Sequence, residues 1–166
     1  YMAEQIAGWF VNNLGGVFSA EAIVFIVSLL PILELRGGII AGFLLGLDLM
    51  PSFLIAFIGN IIPIPFILLF IKFIFKVLKK TRMKGIIEKL ENKAISKSDK
   101  IQKYAYWGLL LFVGIPLPGT GAWTGSLIAA LLNMDIKKSF FIIVLGVIMA
   151  GIIISVFSYG LLGMVM

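Results

Sequence analysis

The sequence predicts an all-α integral membrane protein of two inverted repeats, each a re-entrant helical hairpin followed by one transmembrane helix. Composition is the first observation behind that prediction. Of the 166 residues, 61% are hydrophobic and 13% are charged, with a mean hydropathy of +1.12. A soluble domain carries about 25% charged residues, so this chain cannot cover a globule with polar surface and belongs in a bilayer. The second observation is where the charge lies. Of the 14 Lys and Arg, 11 fall between Lys72 and Lys103, two are Lys137 and Lys138, and the last is Arg36. The third is an internal repeat. Setting Asp48 on Asp135, an offset of 87, aligns Pro31 with Pro118, Gly38 with Gly125 and Leu44-Leu45 with Leu131-Leu132. Ser52-Phe53 then falls on Ser139-Phe140, Ile55 on Ile142 and Gly59 on Gly146. These are 9 identities in the 29 positions from 31 to 59, and the Pro, Gly, Asp and Ser-Phe matches do not follow from apolar composition.

The elements follow in order. Residues 2–16 read as a short interfacial helix with Trp9 at the outer surface; they lack the basic n-region of a cleavable signal. Repeat 1 covers 19–79, with a hairpin at 19–47 and a transmembrane helix at 51–79. Ser19 is its N-cap and Glu21 sits in the first turn. The hairpin is broken by Pro31-Ile32-Leu33-Glu34-Leu35-Arg36-Gly37-Gly38, and Pro63 and Pro65 are expected to kink the long helix. Residues 80–102 form a basic linker in which Met83, Ile86, Ile87, Leu90, Ala94 and Ile95 recur at helical spacing. This is the pattern of an amphipathic helix on an anionic lipid surface, or of a solvated linker helix. Because it joins two membrane segments, its charge does not point to nucleic acid. Repeat 2 covers 103–161, with a hairpin at 103–132 and a transmembrane helix at 137–161. Its break is Pro116-Leu117-Pro118-Gly119-Thr120-Gly121, and Tyr104, Tyr106 and Trp107 mark an inner aromatic belt.

Charge placement decides between hairpins and broken spans. If both broken segments crossed the membrane, Lys137 and Lys138 would lie outside, against the positive-inside rule. If both are hairpins, all 13 Lys and Arg outside the apolar stretches lie inside. The expected protein is therefore a multi-pass protein of the cell (inner or plasma) membrane, with a cytoplasmic linker and both termini outside. The first hairpin enters from outside and the second from inside, so that their tips meet.

Irregular backbone at membrane depth survives only where protein or a water-filled cavity satisfies it. The two breaks are therefore the candidate site. A half-helix starts after each, and its free N–H groups favour anions. Gly119, Thr120 and Gly121 let backbone approach a ligand closely, Pro118 fixes the bend, and Thr120, Thr124 and Ser126 add hydroxyls. Arg36 adds a planar donor fork suited to phosphate or carboxylate. A mid-membrane Glu34 is costly when ionised and unpaired. Three roles fit it: proton carrier, counter-charge for a cationic solute, or structural partner of Arg36. Asn60 faces either the site or a helix neighbour. Trp123 either packs or stacks on a substrate. Gly37 and Gly38, with Gly42, Gly46, Gly146 and Gly151, suit close helix contact as well as ligand approach. Cysteine and histidine are absent, no nucleophile–base or metal set exists, and neither an enzyme nor a cofactor is expected.

The stretches from Pro31 to Gly38 and from Gly114 through Trp123 resemble those of the small multidrug export proteins, over nearly the whole chain. More distantly the chain resembles the DedA (VTT) superfamily, with its paired re-entrant hairpins and its link to polyprenyl-phosphate or phospholipid movement. Glu34 fits that superfamily's acidic first hairpin, but no arginine follows Pro118. The resemblance implies a small solute exporter, with a DedA-like flippase for a lipid phosphate as the alternative and a non-transporting scaffold as a third reading. Two long helices and two hairpins hardly enclose a pathway, so a parallel homodimer is expected, with lipid, the substrate and protons as its other partners.

Overall fold

Ser19 opens the first ordered helix: its Oγ accepts from the Ala22 N–H at 3.3 Å, relieving one of the unpaired amides of a helix start. This helix, α1 (Ala20–Leu29), is followed after a four-residue turn by α2 (Glu34–Leu44). A computed structural model describes residues 5, 8, 9, 12, 13, 16–81, 84–86, 88 and 99–162. The expected interfacial helix at 2–16 and the amphipathic linker helix fall largely outside them. Next come α3 (Leu49–Ile61), α4 (Pro63–Leu78), α5 (Asp99–Gly114), α6 (Ala122–Leu131) and α7 (Ile136–Ser155), which continues as a π-helical segment, Val156–Leu162. All the regular structure among the described residues is helical.

Two apolar spans stand out, Leu49–Ile74 and Ile136–Leu161, each 26 residues long. At 1.5 Å per residue each rises about 39 Å, more than the hydrocarbon thickness of a bilayer. In the first span Pro63 has no N–H to give the preceding turn, and the helix is interrupted for one residue at Ile62. By contrast α1 and α6 have 10 residues each and α2 has 11, so each rises only about 15 Å.

Small residues set the packing. A Cβ on Gly38 would strike the Ser28 side chain, and one on Gly42 would strike Ser52 and meet Val24 at 3.4 Å. Moving up α2 from 38 to 42 thus moves down α1 from 28 to 24, so the two short helices lie antiparallel, side by side. Gly59 and Gly146, which align at the 87-residue offset, both sit at close helix contacts. A Cβ there would crowd the Phe25 carbonyl at 2.9 Å and the Leu110 carbonyl at 3.2 Å. Close approach through small residues replaces the hydrophobic drive that lipid cannot supply. The polarity is that of a membrane protein: Ser28, Ser52, Ser126, Ser139 and Glu34 are buried, while Leu54, Ile58, Phe66, Phe70, Phe141 and Leu145 face outward.

Hydrogen bonds identify the two ends. The Tyr106 hydroxyl on α5 accepts from the Asp135 N–H at 3.2 Å, and Asp135 feels the charge of Lys72 on α4. The starts of α5 and α7 and the later part of α4 therefore share one end. At the other end Tyr159 Oη donates to the Leu47 carbonyl at 2.8 Å and lies 2.6 Å from Ser52 Oγ. The two long spans consequently run antiparallel.

Candidate functional site

The two breaks meet. Glu34, the first residue of α2, has φ +52, an uncommon conformation for a residue with a Cβ. From there its carboxylate reaches the start of α6. Oε2 accepts from the Ala122 N–H and Oε1 from the Trp123 N–H, both at 3.0 Å. Two residues on, Arg36 reaches the loop before α6: Nη1 donates to the Leu117 carbonyl at 2.7 Å and Nη2 to Thr120 Oγ1 at 2.9 Å. The first break thus supplies the acceptor for a helix N-terminus and the donor for a loop carbonyl, both on the second break. The hydrogen bonds of Glu34 and Arg36 go to the second break rather than to each other.

Residues 115–121 are shaped to receive them. Thr120 Oγ1 lies 2.9 Å from the Ile115 carbonyl and 2.8 Å from that of Leu117, and accepts from the Leu117 N–H at 3.2 Å. Gly119 has φ +80 and Gly121 φ +144, values that favour glycine. At Gly121 the requirement is double, because a Cβ there would collide with the Glu34 carboxylate. Only glycine lets that carboxylate close on the next two amides.

Burial makes these bonds strong. Glu34 is 4% exposed, and an ionised carboxylate at such a place needs its charge matched. The matching comes from two backbone donors, the positive end of the α6 dipole and the nearby guanidinium. Around them Leu35, Asn60, Val113, Ala122, Val147 and Ala150 line a narrow void with no space for a water molecule. Asn60, 2% exposed, lines this void, and its Oδ1 has no hydrogen-bond partner.

Of the residues singled out from sequence, Glu34, Arg36, Thr120, Gly121 and the Trp123 amide come together, and Asn60 lines the same void. Gly37 and Gly38 face α1, where a Cβ would press on Leu33 and Val27 or on Ser28 and Ala56; they are packing glycines. Pro118 and Gly119 lie at the exposed rim, and Thr124 makes none of these contacts. The anion-accepting amides expected after the second break are present but are filled by Glu34. Sequence reading missed Ala122 and Leu117, because a backbone N–H and a carbonyl leave no side-chain signature.

The family model described as "Putative small multi-drug export protein" matches residues 34–153. The chain belongs to this family. The matched segment runs from Glu34 through both breaks and most of α7, so it contains the four hydrogen bonds that Glu34 and Arg36 make to the second break. No curated protein and no solved structure matches the chain.

Proposed function

We propose that this family member is a small membrane transporter that exports a small solute by alternating access, with its site where the two breaks meet. The observation that carries the reading is the pair of cross-links at that point, Glu34 to the α6 amides and Arg36 to Leu117 and Thr120. A buried ion set joining two helix interruptions is expensive to keep in a membrane, and such groups mark transport pathways.

The proposed topology is two inverted repeats with re-entrant hairpins. Helices of about 15 Å reach only halfway across a bilayer, and the antiparallel packing of α1 on α2 favours a hairpin over a broken span. The sharing of one end by the starts of α5 and α7 favours a second hairpin entered from the linker side. The linker is then cytoplasmic, and protonation of Glu34 couples transport to the proton gradient. Two spans enclose little, and a parallel homodimer completes the pathway.

Reconstituted proteoliposomes with an imposed pH gradient test this. At least one member of a panel of ethidium, benzamide and carboxyfluorescein should move faster than in protein-free liposomes. Glu34→Gln should remove the dependence on pH gradient. Equal, gradient-independent leakage in all samples would overturn the reading.

A further inference from the structure

The α6 N-terminus is a carboxylate site whose occupant here is the chain's own side chain. Two consecutive amides hold two separate oxygens of one planar group at 3.0 Å each, at the start of a ten-residue helix, with Arg36 beside them. Gly121 keeps the approach open, since a Cβ there would occupy the carboxylate's place. Asn60 supplies an independent observation. Its Oδ1 is a buried acceptor without a donor, on the wall of the same void as Glu34. An unsatisfied acceptor does nothing for an anion, but it suits a protonated acid, which has one O–H to give.

We propose that a small organic carboxylate replaces Glu34 at the Ala122 and Trp123 amides once Glu34 is protonated, so that anion and proton cross the membrane together. This rests on the transporter reading above. The proton comes from the aqueous phase to which the site opens, forms an O–H on Glu34 that donates to Asn60 Oδ1, and leaves to the other phase. No other bond forms or breaks. Charge balance supports carboxylate over cation. In the present state Arg36 and ionised Glu34 cancel; with Glu34 neutral and an anionic solute bound, the sum is again zero. A cation arriving beside ionised Glu34 and Arg36 leaves a net positive charge at mid-membrane, which is costly. Arg36 is the one charged group near Glu34 on α2. The packed parts of α3, α6, α7, the Val113 end of α5 and residues 115–121 carry no titratable side chain; Glu21 of α1 and Asp99, Lys100, Lys103, Tyr104 and Tyr106 of α5 lie toward the far ends of their helices. An outward gradient of the acid then suffices to drive export without a membrane potential.

Thermal shift of the full chain in detergent, with benzoate as probe, tests the site. Benzoate should bind at least about 10-fold more tightly near pH 5 than near pH 8, because its site requires a protonated Glu34 while benzoate itself stays ionised over this range. Benzamide and tetraphenylphosphonium should bind at neither pH. Glu34→Gln should bind benzoate equally at both, and Asn60→Ala should shift the onset of binding to lower pH. Because the wild-type pH comparison stands without any variant, misfolding of Glu34→Gln does not spoil it. Benzoate binding that is absent or pH-independent overturns the proposal. If a cationic solute is transported at the same time, the transporter reading survives alone. Inorganic phosphate binding as tightly as benzoate under the same pH rule overturns the carboxylate assignment. The expected benzoate binding without flux of any solute upholds the site and overturns the transporter reading.

Discussion

At the scale of single residues, Gly121 and Glu34 depend on each other. Glu34 holds φ +52 and Gly121 φ +144, and the carboxylate of one fills the space a Cβ on the other would need. Such conformations persist where surrounding bonds determine them. Gly121→Ala should therefore lose the carboxylate's two bonds as well as its own backbone fit, about 2–4 kcal/mol in all. Gly119 also has positive φ, but a Cβ there meets nothing, so Gly119→Ala should cost only about 1 kcal/mol. Reversible unfolding in mixed micelles measures both, and equal losses would mean that the carboxylate contact contributes nothing. Arg36→Lys should also destabilise, by about 1–2 kcal/mol, because one ammonium cannot span a carbonyl and a hydroxyl as the flat guanidinium does.

At the scale of elements, positions aligned by the 87-residue offset behave differently. Asp48 and Asp135 precede the two long spans, yet only Asp135 caps with its side chain, Oδ1 accepting from the Lys138 N–H at 2.9 Å. That bond, and then the charges of Lys138 and Lys72, hold the Asp135 carboxyl below the ordinary carboxylate range. Because the folded state lowers this group's affinity for protons, the cap is fully present above the unfolded value of about 3.9 and is lost as pH falls through the lower folded value. Hydrogen exchange at the Lys138 amide should accelerate relative to mid-helix amides in that acidic window, and Asp135→Asn should abolish the pH dependence. At the opposite end Tyr159→Phe removes the bonds to Leu47 and Ser52. It should cost about 1 kcal/mol and loosen the junction of α2 with α3.

For the whole molecule, topology is the decisive quantity, and the absence of cysteine makes every introduced thiol a unique reporter. A cysteine at Ile136, beside Lys137, should react with an impermeant maleimide only after the cytoplasmic face is opened, while one at Gly46 should react in intact cells. Labelling of Ile136→Cys from outside would replace the hairpins with spans. The same layout makes sense of the buried serines and the outward-facing Phe and Leu: lipid surrounds the apolar surface, and Ser28, Ser52 and Ser126 find hydrogen-bond partners inside.

Composition, the 87-residue offset and the clustering of lysines determined by themselves that the chain is helical, that it lives in a membrane, and that its interruptions are paired. The reason is that hydropathy, helix-breaking residues and repeats are local properties, and a bilayer leaves few folds that satisfy the backbone. Ser19 was legible as a cap for the same reason. What Glu34 and Arg36 bond to was decided only by tertiary structure. Two residues two apart in a break could have faced one another, a solute or another chain. The choice was made by Gly121, 87 positions away from Glu34, whose missing Cβ opens the α6 amides to a carboxylate. Contacts to backbone atoms such as the Ala122 N–H and the Leu117 carbonyl have no residue type to announce them, so they emerge only when the two breaks are brought together.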